Sequence, residues 1–407
     1  MANIKKITVG DLRIGMVVSK LDRDWLDTPF LMQGFTIADH DDVRVVSQYC
    51  EHVWIDTDLT PASALSSNEG TAKSAPPPLP EYSCSVEEEH KRIQTQFKAA
   101  RSRSRDLCDD IRLGQGIDQD AIKVTVDECV SSVLRNPDAL VWMAKIREES
   151  EYTAEHSLNV CILAVMFGRH LGYGQKDLEM LGLCGLLHDI GKMRVPLEIL
   201  EKPGKLSNKE MNMMKAHTVH GRNLLLSTPS IDPVVIDAAY SHHERMDGAG
   251  YPRKIPASKI SRFARIISIV DAYDAITADR CYSKARPSTT ALKIIYEERG
   301  KQFEEDLALQ FIKVIGLFPV GSVVELYNGE VGIVIEANQA RRHLPRVVLV
   351  LDKHRKKKEH YKIVDLGHIE EGDLSKEFLI KKVLPDGEYG VTLKKLQDEG
   401  VFVNYNY

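Results

Sequence analysis

Along the chain the spacing of apolar residues changes character several times, and each change marks a boundary. Ile4 to Val9 and Met16 to Ser19 alternate or cluster β-formers, with Asp11 and Gly15 as punctuation. Asp41 to Tyr49 reads as a helix and His52 to Asp56 as a further short strand, so residues 1–59 are expected to form a small strand-rich domain. Between 60 and 83, Ser, Ala, Asn and the run Pro76 to Pro78 offer too little apolar surface to order themselves, which predicts a disordered linker. Residues 84–144 read as a helical connector. Its first part, Ser85 to Leu113, is charged and carries only Ile93, Phe97, Leu107 and Ile111 as apolar positions; it is expected to be solvated, and its heptads are not sustained enough for a coiled dimer. A second helix is expected from Asp118 to Leu134.

Residues 145–320 are dense in helical periodicity and poor in strand signals. The spacing predicts helices over His156–Leu171, Lys176–Leu187, Ser207–Ser227, Asp232–Glu244, Ser261–Ala278 and Thr289–Gly300. Asp232-Pro233 supplies an N-cap and a first-turn proline, Ser207 and Glu210 a capping box, and Gly172 and Gly300 fall where helices should stop. After Pro319 the pattern turns to β: Ser322–Leu326, Val331–Glu336 and Arg346–Leu351, with Asn328-Gly329 as a hairpin turn. The expected fold class is therefore mainly α, a helical bundle flanked by a small strand-rich N-terminal domain and a β-rich C-terminal extension over 321–407.

Composition narrows the functions this architecture can serve. A net charge of -5 gives no general attraction to nucleic acid or anionic membrane, so any anionic substrate must be held by local charge. The basic run Lys353 to Lys358 is short and lacks interleaved aromatics; it reads as a solvated turn, and no direct DNA binding is expected. Seven cysteines without a CxxC pair argue against a disulfide framework or zinc ribbon and for a reducing compartment. The N-terminus lacks the apolar segment of a signal peptide, and no apolar run nears the ~20 residues of a membrane span. A cytoplasmic location is the expectation.

The candidate chemistry lies between Tyr152 and Asp271, which hold seven of the 14 histidines. His156, the pair His188-Asp189, His217, the doublet His242-His243 and Asp271 give seven groups suited to two divalent transition-metal ions, iron or manganese first, nickel or zinc also. In HDIGK, the Asp189 carboxylate can bridge two ions, Gly191 lets the chain pass closely, and Lys192 returns positive charge. Adjacent buried histidines on a helix diverge by about 100 degrees, so the doublet is expected to serve two neighbouring sites. Asp271 sits in the apolar run IISIVDAYDAI and needs a metal or another cation nearby; Asp274, one turn later, is expected to hold a ligand imidazole or a basic residue. His220 reads as structural and His170 as surface or capping.

The order H…HD…H…HH…D resembles the HD superfamily of metal-dependent phosphohydrolases. HHERMDGAGYP over 242–252 resembles the extended signature of the HD-GYP branch, as do HSLNV, LLHDIGKMRVP, DAYDAITADR and GKQF at 300–303. The likeness covers roughly 145–320, and the N-terminal unit resembles a small uncharacterised domain often found ahead of HD-GYP domains. It implies an HD-type bundle with a di-metal centre and a cyclic-di-GMP phosphodiesterase. The seven groups above would be metal ligands, with Asp189 and Lys192 at the scissile phosphate. A bridging hydroxide would attack phosphorus to give pGpG, with a further cut to GMP left open. Arg280 and Lys284 would bind phosphate, and Gly250, Tyr251 and Pro252 would form a rigid loop against the site that takes part in substrate binding. Some members carry a glutamate where this chain has Tyr152, and Ser283 replaces a basic residue common in members; the first departure implies two metals rather than three. Three other readings share these residues: a non-catalytic adaptor for GGDEF-type partners, a phosphodiesterase for cyclic GMP-AMP, and a di-iron oxygenase, which Lys192, Arg280 and Lys284 suit less well. A homodimer is compatible with any of them.

Overall fold

A computed structural model describes residues 3–23, 35–37, 40–65, 82–146, 152–278, 285–338 and 341–400. The chain divides into two compact units, Met1–Pro80 and Glu81–Tyr407. In the first, strands β1 (Ile4–Thr8), β2 (Val17–Leu21), β3 (Phe35–Thr36) and β4 (His52–Asp56) form an antiparallel sheet of order β1-β4-β2-β3. Val18, Leu21, Val53 and Ile55 bury one face with Val46 of helix α1 (His40–Tyr49). A short helix, α2 (Ala62–Leu65), occupies the start of the stretch expected to be a linker; Pro76–Pro78 lie outside the described residues.

The second unit is built around α6 (Tyr152–His170) and α7 (Gln175–Leu187), an antiparallel pair with the most extensive packing in the molecule. Helices α3 (Val86–Arg112), α4 (Gln119–Arg135) and α5 (Pro137–Lys145) pack on this pair. This corrects the solvated-connector expectation for α3. Val86, Ile93, Phe97, Ala100, Leu107 and Ile111 form a buried stripe, and the fully buried Glu89 is held by Arg135 through two hydrogen bonds of 2.7 and 2.8 Å. A paired carboxylate can occupy a core position that composition alone would assign to solvent.

Next come the short α8 (Leu197–Leu200), then α9 (Asn208–Lys215), α10 (His217–Ser227), α11 (Pro233–Ser241), α12 (Arg262–Thr277), α13 (Ser288–Glu297) and α14 (Glu305–Ile315). The capping box at Ser207–Glu210 and the Asp232 cap form as expected. α6 begins at Tyr152 rather than His156 and α13 ends at Glu297 rather than Gly300, and two further differences fall at the candidate site. The helix expected over 207–227 breaks at Ala216, and the one over 232–244 stops at Ser241.

A five-stranded antiparallel sheet follows, of order β8-β7-β6-β5-β9, from β5 (Val323–Leu326), β6 (Val331–Glu336), β7 (Arg346–Leu351), β8 (Lys357–Asp365) and β9 (Ile380–Leu384). Asn328-Gly329 turns β5 into β6, with Gly329 at φ 84°. Its core gathers Val324, Leu326, Val334, Val347, Leu349, Val364 and Ile380, with Ile369 of the short α15 (His368–Glu371); α16 (Leu393–Asp398) closes the unit. The sheet docks on the helices through Ala337 N–H donating to Asp138 at 2.8 Å and an Arg346–Glu87 ion pair at 3.1 Å. The basic run at 353–358 is spent on acids: Arg355 pairs with Glu325, Lys357 with Glu399 and Lys358 with Glu330. Among the described residues, no helix is long and apolar enough to cross a membrane.

Candidate metal centre

Helix ends, more than helix faces, build the site. The last residue of α7 is Leu187; His188 is its C-cap, and Asp189 leaves helical geometry (φ -105°, ψ 8°) to open the 3-10 turn Ile190–Arg194. Because α11 stops at Ser241, His242 becomes its C-cap and His243 follows outside the helix. Both C-termini carry the partial negative charge of the helix dipole, which favours a cation at the point they share. The break at Ala216 makes His217 the first residue of α10. His156 comes from the second turn of α6, and Asp271 and Asp274 from the buried face of α12.

These residues converge as two sets, each with ligand atoms within 4.8 Å of one another: His156, His188, Asp189 and Asp271, then Asp189, His217, His242 and His243. Asp189 belongs to both. Its Oδ2 lies 3.2 Å from His188 Nε2 and 3.5 Å from His156 Nε2, while its Oδ1 lies 3.2 Å from His217 Nε2 and 3.7 Å from His242 Nε2. The doublet therefore falls in one set, not two. The helix has ended before it, so the divergence expected of helical neighbours does not apply; the ring centroids are 4.1 Å apart.

The outer nitrogens fix which way each ring faces. His188 Nδ1 donates to Gly185 O at 2.8 Å, His217 Nδ1 to Met214 O at 2.8 Å and His242 Nδ1 to Ala239 O at 3.0 Å. Carbonyls only accept, so each of these Nδ1 atoms carries a proton; where the ring is neutral, the Nε2 lone pair then points inward. His217 Nε2 and His242 Nε2 stand 3.4 Å apart. Two lone pairs at that distance repel unless a cation lies between them. Burial pushes His217 down to about 4 and His242 well below its ordinary value, so neither carries a proton there at neutral pH.

The carboxylates make the complementary demand. Burial opposes ionisation of Asp189 and Asp271, yet Lys192 and His188 beside the first, and His156 and His188 beside the second, hold both well below the usual carboxylate range. Burial also opposes protonation of His156, but its hydrogen bonds to Asp189, Asp271 and Asp274 lift it to about 10. The pocket calls for positive charge. His188 Nε2 and Asp189 Oδ1 are buried with no hydrogen-bond partner among the described residues. The bare imidazoles of His217 and His242 and the ionised carboxylates, without thiolates, fit a divalent transition metal.

The supporting residues are as informative. Asp274 Oδ2 accepts from His156 Nδ1 at 2.7 Å and so orients that ring. Asp274→Ala is expected to weaken metal affinity by roughly 10–100-fold, measured by competition with a chelating dye, with partial rescue by asparagine; affinity equal to wild type would deny the residue this part. Lys192 pairs with Asp189. Glu155, beside His156, turns away to Arg101 at 2.8 Å. His220 belongs to neither set, and half-buried His170 meets Gln310 at 3.1 Å. Arg280 and Lys284 lie outside the described residues.

Comparison with known proteins places this geometry. A family model described as HD domain matches residues 141–307, and one described as a domain of unknown function (DUF3391) matches 4–122. The chain is 35% identical over 376 residues, 91% of each chain, to a Pseudomonas aeruginosa protein named cyclic di-GMP phosphodiesterase PA4108. The chain belongs to the HD-GYP family of HD-domain phosphohydrolases. It is also 35% identical over 171 residues to a 3'3'-cGAMP-specific phosphodiesterase 3 of Vibrio cholerae (42% of this chain, 37% of the other). A cyclic di-GMP phosphodiesterase response regulator, RpfG, of Xanthomonas campestris pv. campestris matches at 36% over 143 residues (35% of this chain, 38% of the other).

The segment that gives the HD-GYP family its name packs directly on the centre. Tyr251 N donates to His243 O at 3.1 Å, and the Tyr251 ring stacks on His243 with centroids 4.7 Å apart. A Cβ at Gly250 would lie 2.5 Å from Arg245 N and Glu244 Cα, so only glycine fits. Glu244 holds the far side of the loop by accepting from Arg253 N at 2.7 Å. The GKQF string acquires a role that sequence reasoning did not supply: Gln302 accepts from Arg245 at 2.8 Å, and Lys301 O from Asp247 N at 2.8 Å, clamping the loop from behind. Glycine followed by polar residues just after a helix end was the available signal, but it named no partner.

Proposed function

We propose that this chain is a phosphodiesterase that hydrolyses cyclic di-GMP to pGpG, and then to GMP, at a centre of two divalent transition-metal ions. The observation that carries this reading is the sharing of one buried carboxylate, Asp189, between two ligand sets. His156, His188, Asp189 and Asp271 would hold one ion; Asp189, His217, His242 and His243 would hold the other. Iron or manganese suits these donors, and nickel and zinc accept them too. Two such ions supply a nucleophile from water at neutral pH and Lewis-acid stabilisation of phosphoryl oxygens.

The chain's own residues supply the rest. The bare Nε2 atoms and two ligand carboxylates leave a site with two divalent ions net positive, which draws an anionic phosphodiester into a chain that is negative overall. Lys192, anchored on Asp189 at the rim of the pocket, can offset charge that develops on the phosphoryl oxygens. Tyr251, with Lys215 Nζ 5.0 Å from its ring centroid, offers with Gly250 and Pro252 a rigid wall for the nucleotide. Arg280 and Lys284 are assigned phosphate contacts as well. The match to the Vibrio cholerae enzyme makes cyclic GMP-AMP the second substrate to test. Two partners belong to the same reading, GGDEF-domain proteins at the GYP loop and a second copy of the chain.

The test is turnover of cyclic di-GMP by iron- or manganese-loaded protein without oxygen, followed by chromatography. Appearance of pGpG is expected, and its formation without oxygen excludes an oxygenase. Absence of pGpG with either metal would leave the adaptor reading in its place.

A further inference from the structure

The cavity that opens on the metal centre continues well beyond it. Its volume is about 2180 Å³, above the roughly 300–1,000 Å³ of ordinary small-molecule sites. His217, His243 and Asp271 are part of its lining. So are Lys145 at the end of α5, Arg286 in the segment after α12, and Ser322 and Lys394 from the C-terminal sheet unit. Helix α12 is the ruler between the two. Asp271 stands at the centre, Lys145 Nζ lies 5.7 Å from the ring centroid of Tyr273, and Arg286 N donates to Ile276 O at 3.0 Å. At about 1.5 Å per residue, Asp271 to Ile276 is roughly 7.5 Å of helix. Lys145 and Arg286 thus border a chamber a short step along α12 from the His/Asp sets, and Lys394 lines the same cavity. Of the acids in the lining, Asp386 comes from the same C-terminal unit as Lys394, and Asp274 is committed to His156.

We propose that this chamber is an anion subsite for the phosphodiester of a cyclic dinucleotide that is not being cut, with Arg286 and Lys394 as its cations and the C-terminal unit as its wall. The inference rests on the cyclic-dinucleotide reading above. Such a substrate carries two phosphodiesters in one macrocycle, each with a full negative charge at neutral pH. With one at the metals, the other must lie elsewhere in the same cavity, and the C-terminal unit brings Lys394 there. The sheet is thereby part of the substrate site rather than an appendage to it.

Lys394→Ala and Arg286→Ala, singly and together in the full chain, test this. Both side chains are exposed, so the fold should be unaffected. Each variant is assayed with cyclic di-GMP and with bis(p-nitrophenyl) phosphate, which has a single phosphodiester. The ratio of the two kcat/KM values is expected to fall about tenfold per cation removed, mostly through KM for the dinucleotide, and Lys394→Arg should restore it. An unchanged ratio, or equal losses on both substrates, overturns the subsite. If wild-type protein cleaves the chromogenic ester but not cyclic di-GMP, the substrate reading fails and the subsite with it. Wild-type turnover with unaltered variants removes the subsite alone.

Discussion

Asp189→Asn is expected to leave the protein with at most one tightly held metal ion and to lower turnover on the order of 10⁴-fold, roughly 5.4 kcal/mol of barrier. Each Asp189 oxygen faces two imidazoles, so this is the one side chain present in both ligand sets. An amide keeps the shape but loses the charge, and its nitrogen turns two protons toward either His156 and His188 or His217 and His242. One of the two sets must then lose its anion. Lys192 loses its partner in the same substitution, and its ammonium would sit beside the remaining ion without compensation. Elemental analysis of the purified variant, with helical circular dichroism as a control on folding, gives the first readout; single-turnover hydrolysis gives the second. Two ions per chain with activity within tenfold of wild type would show that Asp189 does not bridge.

That the residues of the two converging sets belong together was legible in the sequence because the chemistry that calls for such a combination is rare. Buried histidines and aspartates in apolar helices are expensive without a partner, so their types and spacing point to a metal before any coordinates exist. What did not show was how the backbone aims them. Ala216 carries no capping side chain, and His242 is not a residue that usually ends a helix. Those stops are set by tertiary packing around the centre, and with them the placing of His242 and His243 in one set. Helix α3 was misread for a related reason: burial of Glu89 depends on Arg135, which lies 46 residues away. Helix α5 had a signal that went unused, since Asn136 caps it by accepting from Asp138 N and Pro137 opens its first turn. Strand β8 (KKEHYKIVD) is an edge strand whose outward charges conceal its alternation, as edge strands commonly do. The C-terminal unit read as β-rich from its valines and isoleucines, yet nothing local announced that its loops border the catalytic cavity.

Gly191→Ala should be the most damaging substitution outside the two His/Asp sets themselves. The 3-10 turn after Asp189 crosses α10 at a contact between Gly191 and Gly221, and a Cβ at position 191 would lie 1.9 Å from His217 O and 2.3 Å from Gly221 N. The three nearest atoms it meets are all backbone, so no rotamer change relieves the overlap. Either the turn lifts away from α10 or α10 shifts. Because His217 begins α10 and Asp189 begins the turn, both movements separate two residues that must lie about a hydrogen bond apart. A methyl group would thus act on stability and on the centre at once. A loss of about 4 kcal/mol or more is expected, a fall in the thermal midpoint on the order of 10 °C. Metal content should drop, and turnover should fall at least about 100-fold from misplacement near 1 Å. Gly116→Ala is the control: nothing lies within 4 Å of a Cβ there and its backbone is not in the left-handed region, so stability should move by less than about 1 kcal/mol. A Gly191→Ala protein that melts with wild type and binds its full complement of metal would mean that the turn and α10 are not pressed together as tightly as these distances require.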